Sequence, residues 1–233
     1  MRVVLVSDVH MSGPDDPRQV AFLGFLRQLE CDRLILLGDI FQHWWHFPRG
    51  GGVAVFPQYA AVVQALGRFE VTFIGGNHDF RAAAFFAGST AEVREVWDGT
   101  AVRLTHGDEV DDSAGYRIVS VIVRGAPFAT LVTAMGSAFA WRFLAAITHE
   151  PQGAPVPKLV SAQRTRAAEH IAAGADLVVM GHTHAPELTR VGTGWFANLG
   201  DWVRHKTYLV VEGGVPQLLS WDGSDQRMQT TRR

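Results

Sequence analysis

The chain has 233 residues, 47% hydrophobic and 19% charged, enough apolar material for one domain with a full core. A formal net charge of −2 excludes a global basic field of the kind that draws a protein to nucleic acid. The single cysteine, Cys31, excludes an internal disulfide and suits a reducing cytosol.

Arg2 leads straight into Val3-Val4-Leu5-Val6, a strand signal that leaves no room for a signal peptide. The run ends in Ser7-Asp8-Val9-His10. A turn over Gly13 to Pro17 precedes a predicted helix with an apolar stripe of Val20, Phe22, Leu23, Leu26 and Leu29. Leu34 to Leu37 predicts a second strand, ending in Gly38-Asp39. The aromatic segment Ile40 to Phe47 reads as a packed loop cluster or, with Asp39 immediately upstream, as a pocket wall, and Arg49 to Gly52 as a flexible connector. Gln58 to Leu66 predicts a helix closed by Gly67. Val71-Thr72-Phe73-Ile74 is a third strand signal, stopped by Gly75-Gly76 and followed at once by Asn77-His78-Asp79.

A short helix is expected from Arg81 to Ala87, then strands near Glu92–Val96 and Val102–Thr105, the latter ending in His106-Gly107-Asp108. Leu177 to Met180 predicts a strand ending in Gly181-His182-Thr183-His184. Trp195–Leu199, Lys206–Glu212 and Val215–Trp221 read as further strands, with a hairpin signal at Gly213-Gly214. The βαβ alternation of the first half predicts a largely parallel sheet. The strand-rich last part predicts a second sheet packed on it, with helices outside. The tail from Asp222 to Arg233 reads as polar and frayed.

Residues 111–158 read as an insertion. From Gly125 to Trp141 there are 17 residues without a charge, interrupted by Pro127 and Gly136. A spanning helix needs about 20 apolar residues, so a transmembrane segment is not expected. Two readings stand: a buried core helix, or an apolar lid facing lipid. Phe128, Leu131, Val132, Met135, Phe139 and Trp141 recur at spacings of three or four, which on one helix form one apolar face.

Five apolar runs thus end in Asp, Asn or His. Carboxylates and imidazoles gathered at strand ends favour a metal site over coincidence. Asp-x-His and His-x-His put alternate residues on one side of an extended segment. Hydrolysis of a phosphate ester must overcome repulsion between hydroxide and phosphoryl oxygens. Two divalent ions about 3.5–4 Å apart relieve that repulsion and lower the pKa of water. Asp8, His10, Asp39, Asn77, His106, His182 and His184 supply a suitable donor set.

The five blocks, in this order, resemble the calcineurin-like metallophosphoesterase pattern over almost the whole chain. The resemblance implies a four-layer α/β/β/α sandwich. It implies one ion on Asp8, His10, Asp39 and His184, and a second on Asp39, Asn77, His106 and His182. It gives His78 the role of acid or charge stabiliser, with Asp79 orienting its ring. The implied ions are two divalent cations, usually manganese in bacterial members, with iron or zinc compatible with the ligands.

Within that superfamily the chain is similar to the UDP-2,3-diacylglucosamine diphosphatases of lipid A synthesis. Asp111-Asp112-Ser113-Ala114-Gly115-Tyr116 is similar to their Asp-Asp-Ala-Gly-Tyr segment, and Asn198-Leu199-Gly200-Asp201-Trp202 also matches. The apolar insertion stands where they carry a lipid-binding lid. Many of them have Arg where His78 stands. The implied substrate is a lipid-linked nucleotide, met at the inner-membrane surface by peripheral contact from the cytoplasm, with no obligate protein partner. Asp112, Tyr116, Lys158, Arg164 and Arg166 are the candidate substrate contacts. A phosphodiesterase or nucleotidase for soluble esters is the alternative, and a non-catalytic scaffold a third.

Overall fold

The computed structural model describes residues 1–49, 52–89, 92–148 and 155–223. The first sheet is built on β1 (Arg2–Val6), β2 (Arg33–Leu37) and β5 (Val71–Ile74), which run parallel. The helices α1 (Pro17–Gln28) and α2 (Ala60–Leu66) make the crossovers between them. β11 (Thr207–Glu212) and β12 (Val215–Ser220) extend this sheet antiparallel beside β1, in the order β12-β11-β1-β2-β5. The sheet is therefore mixed, where the sequence predicts one largely parallel.

The second sheet has the order β6-β7-β8-β10-β9, formed by β6 (Val93–Trp97), β7 (Thr100–Leu104), β8 (Leu177–Met180), β9 (Glu187–Val191) and β10 (Gly194–Asn198). The C-terminal strands thus divide between the two sheets instead of forming a second sheet of their own. A hairpin through Asp98 and Gly99, both with positive φ, joins β6 to β7. β3 (His46–Arg49) and β4 (Gly52–Val55) pair as a separate hairpin where a loose connector is expected; its tip, residues 50–51, lies outside the described residues.

Strand alternation sorts the core into layers. Val3, Leu5, Ile35, Leu37, Leu104, Val179 and Leu209 meet between the sheets. Val4, Val6, Leu34 and Leu36 face the other way, onto Phe22, Phe25 and Leu26 of α1 and Val62 and Leu66 of α2. Val178, Met180 and Phe196 pack outward on Ala167 and Ile171 of α7 (Pro157–Ala172). The result is an α/β/β/α sandwich. In α1 the buried stripe runs through Phe22, Phe25 and Leu26, while Val20 is exposed, so the predicted stripe is rotated by part of a turn. Asp16 caps that helix by accepting from Arg18 N, with Pro17 at its first position. A four-residue helix, α3 (Ala82–Phe85), follows the third strand-end loop.

The insertion is helical: α4 (Ala114–Arg124), α5 (Ala126–Ala134) and α6 (Gly136–Ile147). Gly136, at φ +69°, breaks the charge-free run into two helices. The predicted single face is therefore split. Val132, Ala140 and Leu144 are buried in the first core, whereas Leu131 and Phe139 are exposed. Trp45 Nε1 donates to Thr133 Oγ1 at 3.1 Å, and the Trp141 ring lies 4.4 Å from that of His43, pinning the helices to the body. Among the described residues no single helix is long and apolar enough to cross a membrane. His149 and the tail beyond 223 lie outside the described residues.

Candidate metal centre

β1, β2, β5, β7 and β8 all deliver their carboxyl ends to one edge of the sandwich. The β1–β2 pairing continues past the strands: Asp8 N donates to Gly38 O at 3.0 Å and His10 N to Asp39 O at 2.9 Å. Gly181 N donates to His106 O at 2.9 Å, tying the two loops of the second sheet together. Asp8, His10, Asp39, His182 and His184 have φ of +53°, +52°, +53°, +67° and +55°. Side-chain-bearing residues persist in this region only where their surroundings over-determine them, and such strain clusters at functional sites. Gly76 shows one source of that constraint, since a Cβ there would strike the Asp39 carboxylate.

All seven predicted donors come together. Donor atoms of Asp8, His10 and His184 lie within 4.8 Å of one another, as do those of Asp39, His106 and His182. His184 Nε2 is 3.2 Å from Asp8 Oδ1, and His106 Nε2 is 3.4 Å from Asp39 Oδ2. Asp39 also lies 3.8 Å from His10 Nε2, so its carboxylate stands between the two groups. Asn77 Oδ1 is 3.0 Å from His182 Nδ1 and 3.3 Å from His106 Nε2. His10 Nδ1 faces Gln42 Oε1 at 3.1 Å and His106 Nδ1 faces Leu37 O at 2.9 Å. An Nδ1–H donated to a carbonyl leaves Nε2 with its lone pair turned inward, the tautomer a metal requires.

The electrostatics fit a divalent cation. Burial opposes charge on Asp8 and Asp39, yet neighbouring imidazoles hold both carboxyls below their ordinary value, His184 for Asp8 and His106 for Asp39. Burial would also lower His106 and His184, but Asp39 and Asp8 hold these rings above the usual imidazole range. Burial pushes His10 down to about 3, so it is neutral. Two buried carboxylates that draw protons onto adjacent imidazoles form a site of negative potential suited to cations.

His78 stands beside this cluster. Its backbone N–H donates to Asp39 Oδ1 at 2.9 Å, and its ring is edge-on to His10 at 4.9 Å. Its ring Nδ1 is 3.0 Å from Gln42 O. The expectation that Asp79 orients this ring is corrected here. Asp79 is wholly buried, and its Oδ1 accepts from Asp39 N and Gly76 N while Oδ2 accepts from Ile40 N and Phe41 N, at 2.7–3.1 Å. Its carboxylate staples the β5 loop to the Asp39 turn. Burial pushes this group up to about 6, with the Asp39 charge acting in the same direction and the N–H donors against it.

The predicted substrate contacts scatter. Lys158 pairs with Asp112 at 3.1 Å, both largely exposed, and Arg164 pairs with Glu187 at 3.0 Å. Arg166 pairs with Glu169 but also borders a polar cleft of about 760 Å³ that starts at His106 and includes Asp112 and Tyr116. Tyr116 donates its hydroxyl to Asp108. The residue the sequence reading missed is Arg124. It borders this cleft and a second, apolar cavity of about 310 Å³, and pairs with Asp108 at 3.2 Å. Its only sequence signal was its place at the edge of the charge-free run. The second cavity runs from Asn77 and His78, past Trp44 and Trp45, to Val119, Val123, Phe128, Leu144 and Ile147 of the insertion helices. The aromatic segment is therefore core and cavity wall together: Phe41 is buried in the core, while Trp44 and Trp45 belong to both.

Residues 1–212 match the calcineurin-like phosphoesterase superfamily domain. The chain belongs to that superfamily and is a metal-dependent phosphoesterase. Among curated relatives it is similar to the UDP-2,3-diacylglucosamine hydrolase of Bordetella parapertussis, 34% identical over 203 residues, covering 78% of this chain and 76% of the relative. It is also similar to the enzyme of the same name from Xanthomonas campestris pv. campestris, 28% identical over 242 residues, covering 91% and 96%. In fold it resembles vacuolar protein sorting 29 of Cryptosporidium parvum, with a TM-score of 0.51 at 13% identity, covering 99% of this chain and 95% of that one.

Proposed function

We propose that the protein hydrolyses the pyrophosphate of UDP-2,3-diacylglucosamine, giving UMP and 2,3-diacylglucosamine 1-phosphate in lipid A synthesis. The observation that carries this reading is the apolar cavity that opens at Asn77 and His78 and is closed by the insertion helices. A soluble diester has no use for such a wall. An acyl chain does, since each buried CH₂ contributes about 0.8 kcal/mol. The relatives named for this substrate support the same reading.

In this reading Asp8, His10, Asp39 and His184 hold one divalent ion, and Asp39, Asn77, His106 and His182 hold the other. The ions would supply Lewis acidity, lowering the pKa of water and neutralising phosphoryl charge. We take manganese as the bound metal, in a donor set that also accommodates iron or zinc. His78 stabilises charge or donates a proton at the phosphoryl oxygen, its ring held by the Gln42 carbonyl. Asp79 keeps the Asp39 turn closed beneath it. Arg124, shared by the polar and apolar cavities, is suited to a phosphate at their junction. Residues 111–158 act as a lid within a single domain. Ile118, Val121 and Ile122, each more than half exposed on α4, would rest on the inner-membrane surface from the cytoplasmic side.

The test compares manganese-loaded protein on UDP-2,3-diacylglucosamine and on a small soluble phosphodiester. A large kcat/KM advantage for the lipid, with UMP as product, is the expected result. Equal or better turnover of the soluble ester would replace this reading with that of a general phosphodiesterase.

A further inference from the structure

The helix α7 carries none of the seven donors, yet it sends one amide into the space between two of the loops that do. Gln163 is 1% exposed. Its Nε2 donates to Gly181 O at 2.9 Å and lies 3.4 Å from Gly107 O. Those carbonyls belong to the residue before His182 and the residue after His106. Its Oε1 accepts from Thr183 Oγ1 at 2.9 Å and from Asn198 Nδ2 at 2.8 Å. Asn198 Nδ2 also reaches Gly181 O at 2.9 Å, and its own Oδ1 accepts from Gly200 N at 2.9 Å. The packing is tight. A Cβ on Gly107, whose φ is +97°, would collide with the Gln163 amide. The strained His182 turn sits directly against this cluster.

We infer that Gln163 is a positioning residue that sets the spacing of His106 and His182, and through it the affinity of the metal site those rings share more than that of the other. The inference rests on the two-ion reading proposed above. His106 and His182 fall with Asp39 in one donor group, Asp8, His10 and His184 form a second, and His10 and Asp39 form a third with His78. Gln163 bridges the two loops of the first group. Its bond to Thr183 also touches the loop that carries His184, so the second group feels its loss at one donor rather than at two. A buried amide with both ends satisfied resists rotation, because any turn strands a donor or acceptor in the core. Groups bonded directly to metal ligands change metal affinity by about 10- to 100-fold when removed, and that range bounds the effect of a group that holds the ligands' backbone.

The experiment loads metal-free wild-type protein and Gln163→Leu with manganese, reading binding by calorimetry and ion pairing by electron paramagnetic resonance. Melting of the metal-free proteins is followed in parallel. Wild type is expected to take two ions and give a coupled-pair signal. Gln163→Leu should bind the ion of the His106–His182 site about 10- to 100-fold more weakly and the other ion with a smaller loss, with the coupled signal lost at limiting metal. Thr183→Val, which removes the hydroxyl that orients the amide, should move affinity the same way, and Thr183→Ser should restore it. A lower melting temperature with both ions bound as in wild type would overturn the inference, leaving the cluster as core alone. Equal weakening of both ions would overturn its selectivity. A wild-type chain that binds fewer than two ions would sink the two-ion reading, and this inference with it.

Discussion

The strand-end loops and the insertion helices solve opposite problems within a few ångströms of each other. In the loops Asp8, His10, Asp39 and His106 are each fixed twice, through the backbone and through a second group. Asp39 illustrates this: its N–H is held by Asp79, its carbonyl by His10 N, and its carboxylate by His78 N. Positive φ at five candidate ligands is tolerated because these bonds leave no alternative. In the insertion, α4 contributes no residue to the buried core, and Ile118, Val119, Val121 and Ile122 are 57–75% exposed. It is tied down at a few points, including Tyr116 and Arg124 to Asp108. In the proposed function, reaction geometry falls to the tightly bonded region and substrate choice to the loosely held one. Charged chemistry needs atoms placed to a fraction of an ångström, whereas acyl chains are recognised by area, which tolerates movement.

The strongest way to break that division is Asp39→Ala. It removes the carboxylate standing between the donor groups, so turnover of both lipid and soluble substrates should fall below detection, with metal content dropping on elemental analysis. Full activity with one tightly held ion would show that the two groups do not act together. His78→Ala should be milder, lowering kcat by about 10²–10⁴-fold on both substrates with both metals retained. An unchanged kcat would move the role to another group, with Arg124 the first to try.

Val119→Glu sharpens the comparison from the other side. Val119 borders the apolar cavity but is more than half exposed, so the change should cost little stability. KM for the diacylated substrate should rise about tenfold, equivalent to losing roughly two buried methylenes at ~0.8 kcal/mol each. Turnover of the soluble diester should stay at the wild-type level. Equal loss on both substrates would deny the insertion its selective role. Leu131 and Phe139, which the helical spacing places on the predicted apolar face, are exposed and do not border the cavity.

A last test, of stability alone and not of turnover, lies at the seam between the regions. His43 is 3% exposed and packed on Trp141 of α6, with neither ring nitrogen hydrogen-bonded among the described residues. Burial pushes its ring from 6.5 down to about 4, with the His78 charge adding to the shift. A folded pKa below the unfolded one means that the neutral form is favoured in the fold. Its contribution is complete above pH 6.5 and is lost as pH falls towards 4, by up to about 3 kcal/mol. His43→Phe should therefore flatten stability between these pH values in denaturant melts. An unchanged acid limb would show that the ring is accommodated when charged.

The strand-end blocks were legible in the sequence because a buried strand has a short apolar signature, and the polar residues after it announce themselves by contrast. Asp8, His10, Asp39, Asn77, His106, His182 and His184 follow from that pattern, as do the strands that carry them. The partition of the C-terminal strands between two sheets was not legible, because pairing partners are chosen across more than a hundred residues and leave no local mark. Asp79 was misread for a related reason: its neighbour in sequence is His78, while its partners in space are the backbone amides of the Asp39 turn. The single apolar face predicted for Gly125 to Trp141 assumed one continuous helix, and the left-handed Gly136 turned its halves apart. Gln163 carries no motif at all. Composition and period report what a residue prefers to be buried with, and they fix the donors and the strands here. Which loops a buried amide or carboxylate holds together depends on where distant backbone carbonyls and N–H groups converge, and only the packed sandwich decides that.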